Sequence, residues 1–313
     1  MWILPIEEST MKQLLSDWDL SPEQVTQILH ISEKIKSKPS LYKHTMEGKT
    51  LIMLFELASL RTRISFEAGI TQLGGHAIMY GVENQGFSRS ETLKDGVAVL
   101  ARYGDIIMAR VLKQDAMEEI GEASTVPVIN GMTEMYHPCQ NLADLLTIKE
   151  KKGELEGQKI AYVGDGSCNT AASTIIGCAG QGMSVTTVCP NYPEYSPDPV
   201  LVEKANEAFT GSVKVSHSVE GVADADVIYN DVWVSAGMEE EKKKRMKVFP
   251  AFQVNAALVK KAKDDCIVMH CLPAKREIEI TSEVIDSPQS VVIYQTENRM
   301  HAQKGLMVWI LDQ

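Results

Sequence analysis

Residues 55–67 read FELASLRTRISFE, two arginines and a set of hydroxyls placed directly behind KTLIMLFE, an apolar run of strand length. Beyond them Phe66, Ile70 and Leu73 recur at helical spacing up to Gly74-Gly75. Ser59, Leu60, Arg61 and Thr62 are therefore expected to form a strand-to-helix turn. At such a turn the backbone N–H groups and the positive end of the helix dipole point at one spot, which suits an anion. Four other segments of the same kind carry polar chemistry at expected strand ends: MAR (108–110), HPCQ (137–140), NDVWVSAG (230–237) and HCLPA (270–274). A sixth, ENR (297–299), precedes the final helix. In open parallel sheets, ligands bind beyond the carboxyl ends of the strands. Arg61, Arg110, His137, Gln140, Asp231, Cys271 and Arg299 are thus candidate site residues.

Each has a plainer role available. Ser59 or Thr62 can cap a helix, Arg61 and Arg110 can sit in surface ion pairs, and Arg63 is placed to pair with Glu67 on its own helix. His137 can be a loop residue satisfied by backbone, Asp231 a loop cap, and Cys271 a small buried hydrophobe. Three arginines, a histidine and two hydroxyls at strand ends of the same face argue against all of these at once.

The elements that would position them alternate. Residues 21–37 read as a helix with Ser21 at its cap and Pro22 at its first position. Strands LIMLFE, HAIMYG, DIIMAR and VPVING follow, separated by helices from about Arg61, at LKDGVAVLARY and around DAMEEIGEAS, with a polar loop VENQGFSRSET. The helix NLADLLTIKEKKG leads to a second series with strands KIAYVGDG, SVTTVC, VKVS, DVIYNDVW, CIVMHCL and SVVIYQT. Alternation of this kind gives βαβ units. The expected fold is α/β: two doubly wound parallel-sheet domains, residues 1–148 and 149–296, with a last helix, HAQKGLMVWIL within 297–313, crossing back to the first.

The length of 313 residues fits two domains. A net charge of −11 argues against nucleic acid or an anionic membrane as partner, so an anionic ligand needs a local cluster of basic groups. MWILP is too short for a signal peptide, and GLMVWIL falls short of a membrane span. The six cysteines form no Cys-x-x-Cys pair, which favours reduced thiols in a cytoplasmic protein. Cys139 and Cys271 lie near histidines without a zinc-ligand spacing, so no metal site is expected.

SLRTR followed by SFEAGITQLGG, HPCQNLADLLT, VGDG, DVWVSAGMEEEKKKR, FQVN, MHCLPA and ENRMHAQK together resemble the aspartate/ornithine carbamoyltransferase family, closest to its ornithine branch. The resemblance runs in order from about residue 25 to the end. It implies transfer of a carbamoyl group from carbamoyl phosphate to an amine, without metal or cofactor. By that resemblance Ser59, Leu60, Arg61 and Thr62 receive the phosphate. Arg110, His137, Gln140 and Arg299 surround the carbamoyl group, with Cys271 and Leu272 beside it. Asn169, Asp231, Ser235, Ala236 and Cys271 face the acceptor amine. The same resemblance implies that the first domain binds carbamoyl phosphate and the second the amino acid. It also implies a homotrimer and domain closure on the second substrate.

Several positions depart from the family pattern. Leu60 stands where a threonine is usual, Cys168 where the first of two asparagines is usual, and Ala236 where a methionine is usual. Gln85 is one residue out of register with a glutamine that reaches a neighbouring subunit's site. Leu60 and KREIEIT resemble the branch that acts on acylated ornithines, whereas DVWVSAGMEEEKKKR resembles the free-ornithine branch. Putrescine and a non-catalytic trimeric paralogue are further alternatives. A dinucleotide dehydrogenase is disfavoured, because YVGDGSCNTAAS lacks G-x-G-x-x-G and the next strand ends without a carboxylate.

Overall fold

The computed structural model describes residues 12–81, 91–235 and 238–312. The first sheet contains β1 (Thr50–Phe55), β2 (His76–Gly81), β3 (Ile106–Arg110) and β4 (Val128–Met132), all parallel, in the order β2-β1-β3-β4. Its helices are α1 (Pro22–Ser37), α2 (Leu60–Gln72), α3 (Leu93–Leu100), α4 (Gln114–Ala123) and α5 (Pro138–Lys152). The second sheet contains β5 (Lys159–Val163), β6 (Ser184–Val188), β7 (Ser212–Ser216), β8 (Val227–Asn230) and β9 (Ile267–His270), again parallel, in the order β7-β6-β5-β8-β9. Its helices are α6 (Asn169–Gly180), α7 (Pro199–Ala208), α8 (Lys242–Val248), α9 (Ala256–Val259), α10 (Ser282–Ile285) and α11 (Val292–Leu311).

The unbroken apolar runs of β1, β3, β5, β8 and β9 follow from burial on both faces, as parallel sheets require. Along β1, Leu51, Met53 and Phe55 enter the central core while Ile52 and Leu54 enter a second core under α3 and α4. In the second sheet Ile160, Tyr162 and Tyr229 face the central core, and Ala161, Val163 and Ile228 face the outer one. The central core is continuous between the sheets. It takes in α1, α5, α6 and α11, through residues such as Ile28, Leu145, Ile175 and Leu306.

The α/β expectation holds, and α1 begins as read, with the Ser21 hydroxyl accepting the Gln24 N–H at 3.3 Å. One element differs. SVVIYQT is not a sixth strand: α11 starts at Val292 and runs through the segment. Valine and isoleucine favour strands only where a pleated neighbour packs on them. Here residues 289–291 run beside β9 just long enough for Val268 N–H to reach Gln289 O and Val291 N–H to reach Val268 O. The chain then turns into the helix, leaving Ile293 exposed and Tyr294 under the ammonium groups of Lys36 and Lys151.

The final helix crosses back as expected and packs on α1, α2 and α5. Gly305 is what allows the approach to α1, because a Cβ there would lie 2.0 Å from Ser32 Oγ and 2.8 Å from Ile28 O. Gly305→Ala is expected to force the two helices apart and cost about 1–3 kcal/mol. Urea denaturation of the variant checks this, and an unchanged midpoint would contradict it.

Candidate active site

Both sheets reverse their strand order beside their first strand, at β1/β3 and at β5/β8, and the candidate residues follow the carboxyl ends of those strands and their neighbours. Ser59 caps α2, its hydroxyl accepting the Thr62 N–H at 3.3 Å, so the first-turn amides of Leu60 and Arg61 have no i−4 carbonyl to use. The Leu60 side chain points away, 75% exposed, so its change from threonine leaves the turn's backbone in place. Arg63 pairs with Glu67 at 3.3 Å and takes no part.

Three guanidinium groups converge beside this turn. Thr62 Oγ1 accepts from Arg299 Nη2 at 2.8 Å and from Arg110 Nη1 at 3.3 Å. Arg299 Nη1 donates to Gln140 Oε1, and Arg61 Nη2 donates to Leu272 O at 2.7 Å across the two halves of the molecule. Among the described residues none of the three lies within salt-bridge distance of a carboxylate. Burial, then the charges of Arg299 and Arg61, lower Arg110 to about 10, still a cation at neutral pH. Burial, then Arg299, Arg110 and Arg61, hold His137 well below its ordinary value, so its imidazole is neutral. Its Nδ1 is buried without a partner among the described residues.

The groups behind these were not legible in the sequence. Gln140 Nε2 and Gln295 Nε2 both donate to Asp144 Oδ1 at 2.7 Å, and Gln295 Oε1 accepts the His270 N–H at 2.9 Å. Asp144 therefore orients the amide whose oxygen faces Arg299. Its own i+4 spacing from Gln140 was the available signal. Leu272, at φ 59°, is in the left-handed region that branched residues avoid, and its N–H donates to His270 Nδ1 at 2.9 Å. With Nδ1 accepting, the His270 Nε2–H is left for Glu279 Oε1 at 3.3 Å, in a pair with no exposed surface. That pair fixes the carbonyl that Arg61 grips.

On the second sheet, Asp231 is partly open to the cleft. Its Oδ1 accepts the Val232 N–H at 2.7 Å and its Oδ2 the Thr170 hydroxyl at 3.1 Å. Burial and the adjacent Asp231 carboxylate push the Cys271 thiol well above its ordinary value, so it is a protonated thiol rather than a thiolate. Asn169 Nδ2 donates to Thr133 O at 2.6 Å, and Cys168 meets the Tyr162 hydroxyl at 3.0 Å. Ser235 lies in the loop after β8, where buried Arg245 bonds Asp165 and, at 3.0 Å, Trp233 O. One ligand atom each of Asp231, His270 and Cys271 falls within 4.8 Å of the others, but both His270 nitrogens are already engaged. Gln85 and Ala236 lie outside the described residues.

Two predictions follow from the charges. Arg110→Met should raise the melting temperature of the free protein, because it removes a crowded, unpaired cation. Inorganic phosphate at about 100 times its Kd should stabilise the natural protein by about 2.7 kcal/mol and an Arg61→Met variant by less than about 1. Calorimetric melts with and without phosphate test both, and an undiminished phosphate effect would contradict the assignment.

Burial raises Asp144 from 3.8 to about 7 and Asp17 from 3.8 to about 6. The folded chain thus keeps protons that the unfolded chain has lost, and these groups make stability fall as pH rises from about 4 to about 7. His137 has the opposite sign: the unfolded chain takes up its proton below about 6.5, which costs stability as pH falls. Asp144→Asn keeps an amide oxygen for the two glutamines. It should flatten the decline between pH 4 and 7 in urea titrations, and an unchanged slope would exclude Asp144 as a source.

Residues 12–150 match the family model for the "Aspartate/ornithine carbamoyltransferase, carbamoyl-P binding domain", and residues 156–310 match that for the "Asp/Orn binding domain". The chain is 47% identical over 307 residues to ornithine carbamoyltransferase of Bacillus subtilis, covering 96% of this chain and 94% of that one. Ornithine carbamoyltransferase from Pyrococcus furiosus superposes with a TM-score of 0.90 at 44% identity, over 95% of this chain and 96% of that one. A mutant N-acetyl-L-ornithine transcarbamylase complexed with PALAO superposes with a TM-score of 0.85 at 30% identity, over 96% and 100% of the two chains. Matched in both halves and over nearly its full length, the chain belongs to the aspartate/ornithine carbamoyltransferase family.

Proposed function

We propose that the protein transfers the carbamoyl group of carbamoyl phosphate to the side-chain amine of L-ornithine, giving citrulline and phosphate. The observation that carries this is the trio Arg61, Arg110 and Arg299, which converges on a helix terminus suited to an anion without a carboxylate partner among the described residues. A phosphate dianion there meets the first turn of α2, the Ser59 and Thr62 hydroxyls and the Arg61 fork. Arg110, neutral His137 and Arg299 then surround the carbamoyl oxygen. As the amine attacks, charge builds on that oxygen, and a preorganised donor commonly contributes about 3 kcal/mol to its stabilisation. The new C–N bond forms, the C–O bond to phosphate breaks, and the departing phosphate takes an amine proton. Gln140 and Leu272 O hold the carbamoyl amide, and the Cys271 thiol lies beside the attacking nitrogen.

Residues 1–148 with 297–313 form the carbamoyl phosphate-binding part and residues 149–296 the amino-acid-binding part. Asp231, with Asn169, Ser235 and Ala236, receives the α-amino and α-carboxylate groups. The carboxylate of Asp231 favours free ornithine over an acylated one, since acylation removes the α-ammonium charge it would pair with. Assembly as a homotrimer is supported by exposed Leu60 and Ile64 on α2, Ile78 and Met79 on β2, and Val99 on α3, with Gln85 as a possible contact to the neighbouring site. Six free cysteines support a reducing, cytoplasmic setting.

Supplied with carbamoyl phosphate and ornithine, N-acetylornithine, putrescine, lysine or aspartate, the protein should release phosphate fastest with ornithine. Arg61→Ala should raise the KM for carbamoyl phosphate at least about tenfold with little change for ornithine, and Asp231→Ala should do the reverse. Background rates with every amine would point instead to a non-catalytic paralogue.

A further inference from the structure

The chain's first described turn reaches His137 from behind. Asp17 opens a single 3-10 turn, Asp17–Asp19, that leans on α6 of the second half. Asp17 is 7% exposed and both carboxylate oxygens are engaged: Asn141 Nδ2 donates to Oδ1 at 2.9 Å and the Ser173 hydroxyl to Oδ2 at 2.5 Å. Ser173 Oγ in turn accepts the His137 backbone N–H at 2.7 Å. His137 is the N-cap of α5, where the helix supplies no carbonyl for that N–H, so Ser173 is its partner.

We infer that Asp17 is a positioning residue for His137. Accepting the Ser173 hydrogen fixes the hydroxyl rotor, which keeps a lone pair aimed at the His137 N–H and sets the backbone from which the imidazole enters the arginine cluster. Simple attachment of the N-terminal turn does not need this carboxylate. Trp18 already stacks on Phe209 at 5.5 Å with Lys204 over its ring, and Gln181 Nε2 donates to Pro22 O at 3.0 Å. A carboxylate buried without purpose would only cost stability.

The consequence for turnover rests on the function proposed above, whereas the positioning itself does not, and the experiment separates the two. Asp17→Leu and Ser173→Ala should each lower kcat with ornithine about tenfold or more, with the KM for carbamoyl phosphate within about threefold. The double variant should be little worse than either single one, because both break one relay. Asp17→Asn should recover most of kcat: its amide oxygen can accept from Ser173, and once the Asn141 amide turns over its NH2 can donate to Asn141 Oδ1, which has no partner among the described residues. Independently of activity, amide hydrogen exchange read by mass spectrometry should find the His137 N–H protected in the natural protein and in Asp17→Asn, and faster in Asp17→Leu and Ser173→Ala. Unchanged exchange, kcat at the natural level in the single variants, or a multiplicative loss in the double variant would overturn the inference. If Asp17→Leu does not fold, Ser173→Ala and Asp17→Asn decide it. A natural protein inert toward ornithine that still follows the exchange pattern would sink the function and leave the positioning role standing.

Discussion

Three guanidinium groups packed against one another in a half-buried cleft repel, and among the described residues only neutral acceptors restrain them. Leu272 O, Thr62 Oγ1 and Gln140 Oε1 fix where the forks point without cancelling their charge. A carboxylate in any of those places would make the free protein more comfortable and would compete with an incoming phosphate. Asp144, the nearest buried acid of the network, instead stands behind Gln140 and acts through an amide. The imidazole of His137 is neutral for the same reason the cluster is frustrated, since burial and three neighbouring cations oppose its proton.

Holding such a cluster together requires two sheets. Arg61 and Arg110 come from the first, the Leu272 carbonyl from the loop after β9, and Arg299 from the helix that joins them. The continuous core of α1, α5, α6 and α11 between the sheets makes this junction stiff behind the site. A polar seam reinforces it, with Lys36 donating to Glu150 and Asn298, and Asn298 donating to Thr147. Arg299 directly follows Asn298, so the anchor of the seam also fixes the arginine. On the strand-end side the halves meet through Arg61 and Leu272 O and through Asn169 and Thr133 O. An incoming phosphate would have to replace the bond between Arg61 and Leu272 O.

The sequence made the strands, the turn at Ser59 and the strand-end residues legible because each is a local pattern: apolar runs, a cap, a periodicity. Arg61, Arg110, His137 and Gln140 could be assembled from it because parallel-sheet topology puts strand ends on one face; Arg299, expected at a sixth strand end, instead enters the cluster from within α11. Its failure at residues 290–296 has the same origin, since valine, valine, isoleucine and tyrosine have local strand character and only the packing of α11 overrides it. Asp144 had a local signal only in its i+4 spacing from Gln140, and Gln295, Asp17 and Ser173 could not be placed this way. Their partners are far off in the chain, with Asn141 separated from Asp17 by 124 positions and Gln295 from Asp144 by 151, and no local pattern announces such a bond. Cys168, read as a departure at the acceptor site, is engaged with Tyr162.

The most direct test is a crystal structure with a non-hydrolysable phosphonate analogue of carbamoyl phosphate. The phosphonate should rest on the first turn of α2 between Ser59 and Thr62, gripped by Arg61, whose bond to Leu272 O has given way, with the carbonyl of the analogue turned toward Arg110, His137 and Arg299. A phosphonate bound elsewhere, with Arg61 still on Leu272 O, would contradict the account.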